Sequence, residues 1–222
     1  MTTKRMGTLL CTIIFSTTLV AQVPGRNLNA YEKAVKGNDI KTVKSYVNDP
    51  AFGANVKFSD GSTPLHWSAY AGQNTMTKYL LKHGASANAQ TSTGTPLHWS
   101  VNNGKHDTTK TLIDHGKADP NAKITNSGLT PLHLAAGAGK KPCEGLAKHL
   151  LKRDASVHVL DKQGNTAAHY AARKGNKDML KLLVKHGIQY QAANNKGETP
   201  LDLAKNYPKA AEYLRELAGE RH

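Results

Sequence analysis

The sequence is poor in the residue types that build disulfide-bonded domains, metal centres and catalytic sites. Cysteine occurs only at Cys11 and Cys143, which is too few for a disulfide framework or a cysteine-rich zinc site. Phosphate-binding glycine loops, nucleophile elbows and zinc-protease helices are absent as motifs. The 11 histidines show no spacing that brings several ligands to one ion. We therefore expect neither an enzyme nor a bound metal or other cofactor.

Aromatic and acidic residues are scarce as well. Aromatic residues make up 6% of the chain, which is little for one central core and suits thin layers built from Ala, Leu, Val and Gly. Lys and Arg number 30 against 16 Asp and Glu, so the formal net charge is +14. This balance favours acidic partners: anionic lipid, nucleic acid, acidic protein surfaces or polyanionic glycans. Because the lysines are spread along the chain, a solvated surface kept soluble by self-repulsion is the alternative interpretation.

The longest apolar stretch lies at the N-terminus, from Met6 to about Val20. Threonines and a serine dilute it, so it is a weak candidate for a permanent membrane span. Two basic residues precede it and the small Ala21 ends it, an arrangement typical of a secretory signal peptide. We predict a signal peptide at 1–21 and a short linker at 22–26, hence export to the periplasm or the extracellular space. An N-terminal membrane anchor is the alternative, whereas signal cleavage would leave no stable membrane span.

The rest of the chain repeats a four-residue motif at intervals of 32 to 36 residues. The copies are Thr63-Pro64-Leu65-His66, Thr95-Pro96-Leu97-His98, Thr130-Pro131-Leu132-His133, the weaker Thr166-Ala167-Ala168-His169, and Thr199-Pro200-Leu201-Asp202. Thr can cap a helix through its hydroxyl, Pro suits the first helical position, and Leu begins a core stripe. A glycine follows each of the first four copies, and most of the second apolar runs end in another glycine, at Gly84, Gly116 and Gly187.

Each repeat is therefore predicted to form a helix, a turn, a second helix and an extended loop. The glycines can adopt the left-handed conformation that ends a helix. One such unit cannot bury its apolar face alone, so the units must stack. These residues resemble the ankyrin-repeat family, whose hallmark is this Thr-Pro-Leu-His motif at a period of about 33 residues. The resemblance implies an all-α repeat solenoid of helix-turn-helix units with β-hairpin loops.

The resemblance covers residues 27–217 and implies five to six units, including degenerate caps at both ends. The expected unit boundaries are 27–57, 58–90, 91–123, 124–160, 161–193 and 194–217, followed by a tail at 218–222. The family also implies that the motif histidines hydrogen-bond backbone groups of the neighbouring repeat. These histidines are His66, His98, His133 and His169.

The fourth unit contains three extra residues, which we place within 140–145, in the loop joining its two helices. Such a loop tolerates insertions, and it would leave Cys143 accessible. A mixed disulfide or a covalent dimer through Cys143 is then a hypothesis, with simple sequence drift as the alternative. Trp67 and Trp99 each follow a motif histidine. We favour partial packing between repeats for both indoles, with a role as binding anchors as the alternative.

The family implies that partners meet the hairpin tips and the exposed part of each first helix, on the concave side. The residues of this sequence at the family's partner-binding positions form a surface that is acidic and aromatic at its first end, rich in amides in the middle, and basic at its second end. Its residues are Asp60, Ser62, Tyr70, Thr93, Asn102, Asn103, Asn126, Leu129, Lys162, Asn165, Arg173, Lys174 and Lys196.

These features predict an exported, monomeric scaffold that binds another protein through its hairpin tips and concave helix face. The partner's acidic end is expected to meet the basic end of this surface. Charge-driven binding to polyanions, either nucleic acid or an anionic membrane surface, is the first alternative. Nucleic acid is disfavoured because the sequence shows no basic groove studded with aromatic residues. A secreted effector acting on host proteins is the second alternative.

Overall fold

A computed structural model describes residues 27–138 and 141–219. The predicted signal peptide, the linker and the end of the predicted tail lie outside the described residues. Within these ranges the chain forms six successive pairs of short helices, and we call the first helix of each pair inner and the second outer. The pairs are α1 (Leu28–Lys36) and α2 (Ile40–Val47); α3 (Pro64–Ala71) and α4 (Asn74–Lys82); α5 (Pro96–Asn102) and α6 (His106–Asp114); α7 (Pro131–Gly137) and α8 (Lys141–Lys152); α9 (Ala167–Arg173) and α10 (Lys177–Lys185); α11 (Pro200–Leu203) and α12 (Pro208–Ala218).

The repeated motif sets where five of the inner helices begin. Its threonine is the N-cap residue in every copy, with extended backbone, as at Thr63 with φ −113° and ψ 166°. The fourth motif residue completes a capping box, because the backbone N–H of Thr63 donates to Nδ1 of His66 over 3.1 Å. In the last copy the Asp202 carboxylate accepts instead, from the Thr199 N–H at 2.8 Å and its hydroxyl at 2.6 Å. The capping role predicted for threonine is confirmed.

Most helix ends follow the predicted glycine chemistry. Gly84 and Gly187 have φ values of +81° and +82°, in the left-handed region that suits glycine. The prediction for Gly116 is wrong, because the left-handed residue of that unit is Lys117, with φ +53°. Gly116 is needed for space instead, since an added Cβ would lie 2.6 Å from the carbonyl oxygen of Leu112.

The core runs through the stack as thin layers between neighbouring units. The inner helices contact one another in chain order, and the outer helices α4, α6, α8, α10 and α12 do the same. Leu65, Leu97 and Leu132, the third residues of three motifs, are at most 1% exposed. Small buried residues such as Ala135 and Ala168 let adjacent inner helices approach closely. This arrangement is the helical repeat solenoid that the sequence predicts.

The loops between units are turns rather than β-hairpins with paired strands. In the described ranges the one isolated β-bridge joins Thr91 and Gly94, and no strand is present. Two backbone hydrogen bonds close each of the other loops, for example from the Asn194 N–H to the Glu198 carbonyl and from the Gly197 N–H to the Asn194 carbonyl, both over 2.9 Å. The expectation of β-hairpins is therefore wrong at the level of strands. The two sides of each loop are too short to pair as strands, because the N-cap residue of the next helix follows the turn glycine by at most two residues.

The insertion in the fourth unit lengthens a helix instead of a loop. The outer helix α8 has 12 residues, whereas α4, α6 and α10 have nine each. Cys143 lies in its first turn and is 4% exposed, on the same face as the buried Leu146, Ala147 and Leu150. The prediction that Cys143 is accessible is wrong, and the hypothesis of a mixed disulfide or covalent dimer through it loses its basis.

Candidate functional site

Each motif histidine joins its own unit to the next one. Nδ1 accepts the threonine backbone N–H, so the proton of the neutral ring lies on Nε2, which donates to a carbonyl of the following loop. The distances are 3.2 Å from His66 to Gly94, and 3.1 Å from His98 to Leu129, from His133 to Asn165 and from His169 to Glu198. The predicted bonds to the neighbouring repeat are confirmed. They fix the position of each loop relative to the preceding inner helix.

The environment of these rings keeps them uncharged. Burial lowers the pKa of His66 and of His98 to about 4. Burial likewise lowers the pKa of His133 and His169. Both ring nitrogens of each histidine are already engaged in the capping box and the inter-unit hydrogen bond. The motif histidines are therefore structural groups and do not offer a base or a metal ligand.

A groove with a volume of about 610 Å³ lies between the inner helices and the loops of the second, third and fourth units. Three aromatic rings line one part of it. The ring centroids of Trp67 and Trp99 are 5.4 Å apart at 89°, and Tyr70 lies 5.7 Å from Trp67 and 6.1 Å from Trp99. Such edge-to-face arrangements are favourable for aromatic pairs. Both indoles are half-buried, and Tyr70 is 47% exposed.

The two indoles are held in place by hydrogen bonds to residues of the preceding loops. The indole N–H of Trp67 donates to Ser62 Oγ over 2.9 Å, and that of Trp99 donates to Thr93 Oγ1 over 3.1 Å. The ammonium group of Lys36 lies 3.9 Å from the centre of the Trp67 ring, a cation–π contact. Because the N–H group of each indole already has a hydrogen-bond acceptor, the part of the two rings that a ligand can contact is apolar. The rings pack on each other between neighbouring units, which confirms the predicted packing. They also line the groove, and their role as binding anchors stays a prediction.

Five of the predicted surface residues lie together in this groove: Tyr70, Thr93, Asn102, Asn103 and Asn126. Sequence reasoning missed other lining residues, among them Ile124, Ser127 and Leu134. Leu134 follows a motif histidine, as Trp67 and Trp99 do, so its place in the motif could have identified it. The groove therefore has an apolar, partly aromatic surface with amide groups beside it.

Two predicted surface residues are buried, and their assignment to the exposed loop tips is wrong. Ser62 and Asn165 are each 1% exposed. Ser62 accepts from Trp67 and its hydroxyl contacts Asp60. Asn165 donates its amide to Asp161 over 3.1 Å and accepts from the Asn194 amide over 2.9 Å. Both occupy the position just before the N-cap threonine, where Ser62 bonds within its own unit and Asn165 also bonds Asn194 of the next unit.

The remaining predicted residues lie at the two ends of the surface. Asp60 is exposed at one end, whereas Lys162, Arg173, Lys174 and Lys196 are exposed at the other. Burial would raise the pKa of Asp60, but hydrogen bonds from Ser62 and the charge of Lys36 outweigh this and lower it. Leu129 is half-buried and does not line the groove.

Tyr170 continues the line of residues that follow the motif histidines towards the basic end. Its hydroxyl donates to the Asp161 carboxylate over 2.7 Å, and the Arg173 guanidinium lies 5.7 Å from its ring. Burial would raise the pKa of Asp161, but the hydrogen bonds from Tyr170 and Asn165 outweigh it, so the pKa is lowered. This carboxylate is buried and fully hydrogen-bonded, so it adds little exposed negative charge beside the basic side chains.

The described part of the chain offers neither a cluster of metal ligands nor a membrane-spanning helix. Among residues 27–138 and 141–219, no three His, Cys, Asp or Glu side chains are grouped so that they could hold a metal ion. No helix in these ranges has the length and apolar character needed to cross a membrane.

Comparison with known sequences identifies the fold. The sequence profile of the ankyrin repeats matches three overlapping segments, residues 31–124, 86–144 and 140–221. The chain belongs to the ankyrin-repeat family. Ankyrin repeats generally mediate protein–protein interactions, and the fold is typically a non-enzymatic scaffold.

The similar proteins are much longer than this ankyrin-repeat chain. It is 31% identical to human neurogenic locus notch homolog protein 1 over 190 residues, which are 86% of this chain and 7% of that protein. It is 38% identical to human palmitoyltransferase ZDHHC13 over 188 residues, 83% of this chain and 29% of that protein. With Danio rerio palmitoyltransferase ZDHHC17 the identity is 38% over 187 residues, 84% of this chain and 30% of that protein. The chain thus spans less than a third of each relative.

Proposed function

We propose that this chain is an exported ankyrin-repeat scaffold that binds an extended segment of a partner protein along its inner helices and loops. An apolar side chain of the partner occupies the groove beside Trp67, Tyr70 and Trp99, and acidic residues of the same segment meet the basic end. The observation that carries the proposal is the groove of about 610 Å³, because its apolar surface lies on a rigidly positioned part of the stack.

The aromatic groove has the features of a binding hot spot. Tryptophan and tyrosine are the residues most enriched where a few contacts dominate binding. The indoles here are held by hydrogen bonds to Ser62 and Thr93 before any partner arrives. Preorganised rings lose little conformational entropy on binding, so more of the contact energy contributes to affinity.

The basic residues supply orientation and association rate. Lys162, Arg173, Lys174 and Lys196 are exposed in the fifth and sixth units, whereas the groove lies in the second to fourth. A partner segment with an acidic stretch on one side of its apolar anchor therefore fits in one direction along the stack. Complementary charges of this kind mainly raise the association rate and suppress wrong partners.

Peptides selected by display of a random library against the chain test the groove directly. We expect the selected peptides to combine a large apolar residue with an acidic stretch. Trp99→Ala and Tyr70→Ala should each weaken their binding, by about tenfold or more for Trp99→Ala, because a hot-spot truncation costs about 2 kcal/mol. Leu160→Ala is the matched control, since Leu160 is an exposed apolar side chain outside the groove, 49% accessible.

The same peptides test the basic end. Arg173→Glu combined with Lys174→Glu should slow association and reduce its dependence on salt, while Lys33→Glu with Lys57→Glu makes the same charge change at exposed positions away from the basic end. If the selected peptides bind the Trp99→Ala and Tyr70→Ala proteins as tightly as they bind the original chain, the groove is not their binding site. Association rates that fall equally in both double variants would refute the role of the basic end.

Export is supported by the sequence of the first 21 residues alone. A basic start, an apolar stretch and a small residue at the end predict cleavage after Ala21. We expect N-terminal sequencing of the protein from an extracellular or periplasmic fraction to begin at Gln22. Protein that keeps Met1 and sediments with membranes would support the N-terminal anchor instead, and unprocessed protein confined to the cytoplasm would refute export.

A further inference from the structure

One lysine occupies the same place in five successive outer helices. Each lies two residues before a deeply buried side chain of its helix, which is Tyr46, Leu80, Leu112, Leu150 or Leu183, none more than 2% exposed. The lysines themselves are all exposed. They are Lys44, Lys78, Lys110, Lys148 and Lys181, and we call them the lysine row.

The stacking of the outer helices places these lysines in single file. Helices α4, α6, α8 and α10 contact one another in that order. The ammonium group of Lys44, on α2, lies 5.4 Å from the Tyr79 ring of α4, so α2 continues the series. Neighbouring helices pack about 8–10 Å apart, which gives a file of five cations about 30–40 Å long. No residue of the row lines the aromatic groove.

Most of this positive charge is not neutralised within the protein. Lys148 forms an ion pair with Glu144, at 2.7 Å. The described residues place no carboxylate oxygen within 4.0 Å of the ammonium groups of Lys44, Lys78, Lys110 and Lys181. The acidic residue Asp114 at the end of α6 is already held by Arg153 at 3.1 Å.

A recess opens beside the row between α4 and α6. It has a volume of about 400 Å³ and is lined by Lys78, Leu81, Lys82 and His115. Its polar lining side chains are two ammonium groups and an imidazole, so an anionic group entering it meets no carboxylate among the lining residues. The row is thus accompanied by a concave site that is large enough to admit an anionic group of a ligand.

We propose that the lysine row binds a linear polyanion, a sulfated polysaccharide, lying along the axis of the stack. A chain with regularly repeated charges can follow a file of cations, and lysine is a compact, hydrated point charge that suits a flexible ligand. This site is additional to the protein-binding groove and does not depend on it.

The surroundings of the row favour a polysaccharide over the other anionic macromolecules. In the described part of the chain the exposed large apolar side chains are Tyr70, Leu160 and Tyr207, and none lies in an outer helix. A membrane-binding surface normally inserts apolar side chains between lipids, and single-stranded nucleic acid stacks on exposed aromatic rings. The rings beside the row, Tyr79 and Tyr213, are half-buried and lie next to the ammonium groups of Lys44 and Lys181, so the row offers charge without a largely exposed aromatic ring.

Affinity for heparin, measured by titration calorimetry on the full chain, tests the proposal. In the row variant, Gln replaces Lys44, Lys78, Lys110 and Lys181. In the loop variant, which is the matched control and loses the same charge, Gln replaces Lys57, Lys123, Lys162 and Lys196. We expect the row variant to bind about tenfold more weakly or worse and to show a shallower salt dependence, because counterion release scales with the number of contacts. The loop variant should change less than about threefold by the same scaling.

The remaining outcomes overturn the proposal. Equal weakening in both variants would mean that net charge alone attracts the polyanion. Tighter binding of the original chain to vesicles rich in phosphatidylserine, or to duplex DNA, with loss in the row variant, would assign the row to another class of partner. The peptide-binding assay of the groove is run on the row variant, which keeps every residue of the groove and of the basic end, so failure of one site leaves the other separately measurable.

Discussion

Acidification from pH 7 to about 4.5 is expected to reduce the free energy of unfolding steeply. The four motif histidines are buried and neutral in the folded protein, and the pKa values of His66 and His98 are lowered to about 4. In the unfolded chain a histidine takes up a proton near pH 6.5. Between these values the unfolded state binds more protons, so stability rises with pH and is lost as the pH falls. Each histidine contributes up to about 1.4 kcal/mol per pH unit.

Urea denaturation at half-unit steps between pH 4 and pH 7.5 measures this dependence. His133→Gln is the informative variant, because glutamine at this position can keep a capping box and does not titrate. It should flatten the slope below about pH 6.5, where the unfolded chain takes up a proton that the buried His133 ring, with its lowered pKa, does not. His158→Gln removes an exposed histidine as the control. An unchanged slope in His133→Gln, or an equal change in His158→Gln, would contradict the assignment.

Leu132→Ala is expected to destabilise the protein by about 2–5 kcal/mol, the usual range for a buried leucine. Leu132 is 1% exposed in α7, and α7 packs against both α5 and α9. A cavity there weakens the interfaces on both sides of one unit, and in a repeat protein stability depends on these nearest-neighbour interfaces. Binding lost in this variant would reflect unfolding, since Leu132 does not line the groove.

Leu160→Ala is the control for this measurement. Leu160 is 49% exposed, and substitutions at such positions usually change stability by less than about 0.5 kcal/mol. Equilibrium unfolding in urea at pH 7.5 compares the two variants with the original chain. Equal free energies of unfolding for Leu132→Ala and Leu160→Ala would show that the layer around α7 is not part of the core.

The helical part of the fold follows from the sequence because its signals are local. The threonine caps and the first prolines act within one turn of helix, so the start of α3, α5, α7 and α11 is predictable to the residue. Signals that depend only on the number of residues between two motifs do not predict which element an insertion lengthens. An insertion that lengthens α8 looks the same in the sequence as one that lengthens a loop, and so the burial of Cys143 was not predictable from spacing.

The residues of the candidate site were predictable from the sequence where the exposure of a side chain depends only on its position in its own helix. Tyr70, Asn102 and Asn103 are at the end of an inner helix, and the structure places them in the groove. Ser62 and Asn165 precede a cap, where burial depends on tertiary hydrogen bonds, to Trp67 for Ser62 and to Asn194 of the next unit for Asn165, and the motif carries no such information. The groove itself requires side chains from three units, which no single motif describes.

The histidine bonds of the stack all point the same way along the chain. A donor in each of four units needs an oxygen from the unit that follows, and His169 finds it in Glu198 of the last pair. Aspartate replaces histidine in the last motif, and its carboxylate, having accepted from Thr199, holds no N–H that seeks a further acceptor. The hydrogen bonds between units therefore have one direction along the chain. The unit of Asp202 supplies an acceptor to the unit before it, and its motif has no ring N–H that needs an acceptor from a further unit.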